Sequence, residues 1–245
     1  MFKPRFSILR LRGPDTKSFL HRISTNSVTD QKTGDTCINV LVDAKGRMVE
    51  YFHQLILSDN EILLIASGDR AAELMTWFDQ FLFTEDLEII DITQTSTLWW
   101  HPGLPQTYHN YFVIPSRKSY FLFSPTIRDD IKSTIDADTY ECLRIAACTP
   151  AYPNEINSAY NPLEIGLRDA IHWAKGCYIG QEVISRMDTY QKQRKQLVPI
   201  ICSEEEFSHL QIGNGITSIA PKHTAHQPVA LAVVKSSIDS LPVQS

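Results

Sequence analysis

One pattern occurs twice along the chain and restricts its fold more than any other feature: two short strand-like runs joined by a turn, then a helical stretch. The first copy runs as a strand over Tyr51–Leu57, a turn at Ser58-Asp59-Asn60, a strand over Ile62–Ala66 and a helix over Arg70–Leu82. Asp69 stands where a helix cap belongs, and Ala71, Leu74, Met75, Phe78 and Leu82 form an apolar stripe at helical spacing. The second copy has strands over Tyr111–Ile114 and Tyr120–Phe123 around the turn Pro115–Lys118, then a helix over Ile127–Ile135 capped by Thr126. The two units occupy approximately residues 48–92 and 110–137. An order of strand, strand, helix predicts an α+β core with helices packed on antiparallel sheet.

The flanking segments extend this plan. Gly13-Pro14-Asp15 leads into a short helix over Thr16–Ile23, with proline where a missing N–H costs nothing and Phe19, Leu20 and Ile23 on one side. A strand over Thr36–Val42 precedes the turn Asp43-Ala44-Lys45-Gly46 and a strand around Met48–Leu57, whose imperfect alternation predicts burial partly on both faces. From Gln196 onward helical periodicity is absent. The short apolar runs Leu197–Cys202, Ile216–Ala220 and Val229–Val234 are separated by Gly213-Asn214-Gly215 and Pro221, which predicts a small C-terminal β-domain or half-barrel. With a charged linker at Gln191–Gln196, the 245 residues divide into a main region of 1–190 and a C-terminal domain of 196–245.

Charge and composition exclude several roles. A net charge of −5 gives no electrostatic reason for direct nucleic-acid binding, and the cluster Lys192, Arg194, Lys195 reads as a solvated surface. The longest clean apolar run, Ile62–Ala66, falls far short of the roughly 18 residues that span a bilayer. The basic amino terminus interrupts its apolar residues too often for an export signal, so a cytoplasmic, monomeric protein is expected. The five cysteines (37, 142, 148, 177, 202) form no CxxC pair and are expected as reduced thiols, four of them in core strands or on a helix. His223 and His226 are two ligands without partners and do not make a zinc site, so no metal is expected.

The stretch that carries chemistry is Lys175-Gly176-Cys177-Tyr178-Ile179-Gly180-Gln181-Glu182. Two glycines bracket a Cys-Tyr pair, which lets the backbone turn sharply and present the thiol of Cys177 on a loop. Lys175, if close to the sulfur, favours the thiolate. Gln181 and Glu182 add a neutral and an anionic hydrogen-bonding group directly after the turn. The plainer reading of the same residues is a tight turn around a buried cysteine. His172, five residues upstream, is a weaker candidate as a proton acceptor.

This octet resembles the KGCYxGQE signature of the YgfZ-type folate-binding proteins, which are related to the aminomethyltransferase (T-protein) of glycine cleavage. Val183, Arg186 and Met187 continue the resemblance, and Arg144–Pro150 is similar to the family's R-I-E-A-G-x-P. Pro162, Glu164 and Leu167 resemble its P-x-E-x-x-L, while Ser24-Thr25-Asn26 and Asp43–Arg47 match segments near the amino end. Gly215–Ser218 and Ala230–Lys235 resemble its final strands, so the similarity spans nearly the whole chain.

The resemblance implies an aminomethyltransferase-like fold with a central pocket for tetrahydrofolate or a derivative, closed by a small β-barrel. It implies a role in assembling or repairing iron–sulfur clusters in client enzymes, through client or assembly proteins as partners, with any effect on tRNA modification indirect. Phe6 and Tyr140 match pterin-packing positions, Glu164 is suited to the pterin's donor edge, and Asn26 and Arg186 fall in matched segments. Ala146 and Cys148 stand where the family has Glu and Gly, and Tyr190-Gln191 where it has Arg-Gly. In Arg47–Tyr51, only Glu50 remains to replace the T-protein's acidic catalytic pair. Three functions stay open: a folate-dependent accessory factor acting through Cys177, a folate-dependent one-carbon transferase, and a non-catalytic folate-binding scaffold.

Overall fold

The computed structural model describes residues 1–190 and 195–235. Lys192 and Arg194 of the basic cluster, the linker 191–194 and residues 236–245 lie outside the described residues. The chain begins with β1 (Phe6–Arg12), α1 (Thr16–Ile23), β2 (Thr36–Val42), β3 (Met48–Ser58), β4 (Glu61–Ser67) and α2 (Ala71–Asp79). It continues through β5 (Glu88–Asp91), β6 (Thr97–Pro102), β7 (Phe112–Pro115), β8 (Ser119–Ser124) and α3 (Ala137–Ala146). Then follow α4 (Gln181–Thr189), β9 (Lys195–Ile200), α5 (Glu204–Ser208), β10 (Ile216–Ile219) and β11 (Ala230–Lys235).

Three antiparallel sheets result, in the orders β2-β3-β4-β1-β5, β6-β8-β7 and β10-β11-β9. The first is buried on both faces because its strands alternate two apolar sets. Leu9, Leu11, Phe52, Ile56, Ile62 and Leu64 pack against Phe19, Leu20, Leu74 and Phe78 of α1 and α2. The intervening Ile8, Leu55, Leu63 and Ile65 pack against Trp100, Ile114, Phe121 and Phe123 of the second sheet. Period-two alternation thus directs one side chain set to helices and the other to a facing sheet.

Both predicted units keep their strand pairs, but their helices differ from expectation. Asp69 does not cap α2. The helix starts after Arg70, whose backbone N–H is taken by Ser7 Oγ of β1 at 2.6 Å. Thr126 caps nothing, and Ile127–Ile135 is not helical. Its Asp, Ser and Thr residues favour local side-chain bonds over helix. Arg128 grips Asp130 with two N–H groups, and the amides of Thr134 and Ile135 donate to the Met1 carbonyl. The helix starts ten residues later than expected, where Asp136 accepts from the Thr139 amide at 2.7 Å and caps α3. The C-terminal segment also contains a helix, α5, held by a capping box between Ser203 and Glu206. Its described strands form a three-stranded sheet with β9 and β10 at the edges, and they do not close the expected barrel. Leu197, Leu231 and Val233 of this sheet, with Ala220 just after β10, share one apolar cluster with Val40, Val42 and Met48.

The signature loop and the Asp43–Gly46 turn, far apart in sequence, meet at Gly180. This glycine precedes α4 with φ +76°, and a Cβ there would lie 2.5 Å from the Asp43 carbonyl oxygen and 2.9 Å from Val42 Cγ2. Gly180→Ala therefore combines a left-handed backbone with a backbone clash. It is expected to lower stability by about 2 kcal/mol or more, read from urea denaturation midpoints.

Candidate functional site

A cavity of about 330 Å³ opens where the first two sheets meet α3. That is within the usual range for small-molecule pockets, about 300–1,000 Å³. Its walls are aromatic: Phe6 from β1, Tyr51 from β3, Trp100 from β6, Phe121 from β8 and Tyr140 from α3. The rings brace one another, with Phe6 edge-on to Phe121 (centroids 5.1 Å apart) and Trp100 edge-on to Tyr140 (4.9 Å). Gln227 and Pro228, just before β11, complete the wall from the C-terminal segment.

Polar groups are few and placed at particular points. His53 of β3 is buried, and its Nε2 lies 3.0 Å from Ser116 Oγ and 3.3 Å from the Tyr51 hydroxyl; all three residues line the cavity. Burial drives the His53 pKa down to about 3, so the ring is neutral. Lys118 brings a cationic side chain to the wall. Arg144 also lines it, but its N–H groups go to Glu141, the Thr149 carbonyl, Glu155 and Ser218, so it shapes the wall rather than reaching inward.

Of the residues singled out from sequence, Phe6 and Tyr140 line this cavity, as do Arg144, Ala146, Ala147, Thr149 and Pro150 of the matched segment, whereas Asn26, Glu50, Glu164, Lys175, Cys177 and Arg186 do not. Glu164 is buried elsewhere, accepting from the Asn161 amide at 3.1 Å with Arg47 Nη1 3.6 Å away. Asn26 donates to the Ile38 carbonyl, and Arg186 is exposed and paired with Glu182. Glu50 is fully buried, bonded to Arg70 Nη1 at 2.5 Å and to the Tyr51 amide at 3.0 Å. Tyr51, His53, Trp100, Ser116 and Phe121 were missed. The alternation of β3 puts Tyr51 and His53 on one face, but no sequence spacing shows that Ser116 faces them.

In the signature loop Cys177 is exposed and Tyr178 is buried. Lys175 is not exposed beside the sulfur. Its Nζ donates to the carbonyls of His21, Ser24 and Asn26 at 2.5, 2.7 and 2.8 Å, which occupies all three of its hydrogens. Burial lowers its pKa to about 8, and the cysteine that acts on its charge is Cys37. The lysine is thus a clasp between the loop and the end of α1. Cys148, where the resembled motif has glycine, holds a left-handed backbone at φ 51°.

No family model matches the chain. It is 27% identical over 231 aligned positions to a chloroplastic protein of Arabidopsis thaliana named "Putative transferase At1g60990", covering 78% of this chain and 53% of the relative. A segment of 88 residues is 33% identical to sarcosine oxidase subunit alpha of Corynebacterium sp. (strain P-1), covering 36% of this chain and 9% of that one. The chain thus spans about half the length of the plant relative and a small part of the bacterial one. The crystal structure of glycine cleavage system aminomethyltransferase T from Bartonella henselae superposes with a TM-score of 0.69 at 15% identity, over 94% of this chain and 76% of that one. The fold is aminomethyltransferase-like. No helix among the described residues is long and apolar enough to cross a membrane.

Two outcomes follow from this geometry. Burial pushes the Glu50 carboxyl up to about 8 against the pull of Arg70, so between about pH 4.5 and 8 the folded chain keeps a proton that the unfolded chain has released. Its contribution to stability then falls as pH rises through that window, by at most about 1.4 kcal/mol per pH unit. Glu50→Gln removes this slope, and its melting temperature relative to wild type should rise from about pH 5 to about pH 8 in calorimetry. A constant difference would mean that Glu50 is ionised throughout. The second outcome concerns thiols. The other four cysteines are half-buried, and burial raises the pKa of Cys37 to about 11 and those of Cys148 and Cys202 upward. A brief iodoacetamide pulse should label Cys177 first, as read by peptide mapping; equal labelling of Cys37 would contradict it.

Proposed function

We propose that this chain binds a reduced folate in the aromatic cavity and acts as a folate-dependent accessory protein of the YgfZ type, serving the assembly or repair of iron–sulfur clusters in client enzymes. The observation that carries the folate part is the cavity itself: ring walls at Phe6, Trp100, Phe121 and Tyr140 with a small polar cluster at one point. Such walls suit a flat bicyclic ring, each offset or edge-on ring contact adding about 0.5–1.5 kcal/mol beyond burial. Lys118 supplies positive charge suited to the carboxylates of a folate tail. Tetrahydrofolate, when bound, supplies nitrogen nucleophiles that carry one-carbon units. The chain's own residues orient it, exclude water from its ring and hold neutral hydrogen-bonding groups against it.

The accessory role rests on the resemblance of Lys175–Glu182 to the family signature, and the exposure of Cys177 favours it. A thiol on a surface loop is open to a client protein. The transferase reading is favoured by the match to a plant protein named as a transferase. Against it stands Glu50, the one acidic residue the sequence offers, which is closed into a hydrogen bond with Arg70 and is not among the residues lining the cavity.

Tetrahydrofolate should raise the melting temperature, and at about 100 times its dissociation constant the gain is about 2.7 kcal/mol. No shift at millimolar ligand would overturn the folate reading. Complementation of a strain lacking its own YgfZ-type protein, with wild type beside Cys177→Ala, tests the accessory role. Ammonia release from an aminomethyl-lipoyl carrier would instead promote the transferase.

A further inference from the structure

Both acidic residues that the sequence offers to a ligand, Glu50 and Glu164, are outside the cavity, and among the described residues no aspartate or glutamate lines it. Glu164 is held by the Asn161 amide and faces Arg47, while Glu50 is bonded to Arg70. The side of α3 that borders the cavity carries Tyr140, Leu143 and Ala146. Ala146 stands where the resembled motif has Glu, so a methyl group meets the cavity at that point. Glu141 and Glu155, which approach this end of α3, are both bound to Arg144 and do not line the cavity.

Apart from cations, the polar side chains left on the wall are neutral and two-sided. The hydroxyls of Tyr51, Ser116, Ser119 and Tyr140 each give or take a hydrogen bond, and the Gln227 amide does both. Such groups turn to suit a ligand edge of either kind and select neither. Charge behaves differently. Lys118 has no ion-pair partner among the described residues. Arg117 beside it gives its N–H groups to the Cys148 and Gly166 carbonyls and pairs with no carboxylate among the described residues. Arg144 is offset by its two glutamates, so the uncompensated charge at the cavity is positive and favours an anion.

We propose that the cavity recognises its ligand by flat shape and negative charge and leaves the ring's hydrogen-bonding edge unread, with Ala146 marking the place of the missing carboxylate. The ligand class is then flat-ringed anions, of which reduced folates are one member; the inference rests on the folate reading for that natural member alone. A pterin presents amino and ring N–H groups along one edge, and a carboxylate binds such an edge with charge-assisted bonds about twice as strong as neutral ones. Without one, a ring lacking that edge loses little. Lys118 sits exposed on the β7–β8 turn, where a substitution leaves the core undisturbed.

The test compares three ligands by calorimetry on the full chain. They are tetrahydrofolate, its analogue with naphthalene in place of the pteridine and the tail kept, and the uncharged diamide of that analogue. The naphthalene acid should bind no more than about threefold weaker than tetrahydrofolate, whereas loss of a charge-assisted edge would cost about tenfold or more. The diamide should bind about fivefold weaker than the acid, a difference that shrinks in high salt and vanishes in Lys118→Met. Ala146→Glu should raise the preference for tetrahydrofolate over the naphthalene acid by about tenfold, the shared tail cancelling any repulsion. If that variant fails to fold, the wild-type ratios decide. A naphthalene acid tenfold or more weaker than tetrahydrofolate, or a diamide as tight as the acid, overturns the proposal. A ratio unmoved by folded Ala146→Glu overturns the part given to Ala146. Binding of the naphthalene acid with tetrahydrofolate silent would sink the folate reading and leave this inference standing. Silence toward all three would overturn both.

Discussion

The cavity wall depends on one buried ion pair. Arg144 is 4% exposed and Glu155 is fully buried, and between them they tie four segments together. Arg144 joins α3 to the Thr149 carbonyl at 2.7 Å and to Ser218 of β10 at 2.9 Å. Glu155 accepts from the Ala151 amide at 3.0 Å and from the hydroxyls of Thr217 and Ser218 at 2.5 and 2.6 Å. Removing either partner would leave an uncompensated buried charge, at a cost of about 3–5 kcal/mol. Because Arg144, Thr149 and Ala151 also form the wall, the shape of the cavity and the seating of the C-terminal sheet are set by the same bonds.

A second buried contact, Arg70 with Glu50, stands on the other side of β3 and serves a different end. Arg70 bridges Glu50, Glu73 and the Val49 carbonyl, and its guanidinium lies 4.1 Å from the Tyr152 ring centroid. It anchors the start of α2 to the sheet. The acidic residue that sequence comparison would assign to catalysis is here part of the frame.

Strands were legible because their physics is local. Alternation in β1, β3 and β4 encodes two faces, and both faces found partners. Helix positions were less legible: Ile127, Ile131 and Ile135 repeat every four residues, yet Ile127 is 64% exposed and the segment is held by Met1, more than a hundred residues away. Ser203-x-x-Glu206 is a capping-box pattern, but α5 has no buried residue and so presents no apolar stripe to mark it as a helix. For the site, Phe6 and Tyr140 were found through resemblance, whereas the His53–Ser116 contact joins two sheets across 63 positions and leaves no trace in spacing. The clasp made by Lys175 leaves no trace in sequence for the same reason, since its partners lie at residues 21–26.

That lysine has a mechanical consequence. A loop flanked by glycines would otherwise sample many shapes, but an ammonium held by three carbonyls fixes its base to the end of α1, and Gly180 wedges its far end against Asp43. Cys177 therefore rides on a stiff ledge that faces outward and does not line the cavity. A protein that docks there meets a surface already in its final shape and loses little freedom in ordering it. The same stiffness keeps the thiol from swinging inward, so the cavity and Cys177 are joined only through the frame of the molecule.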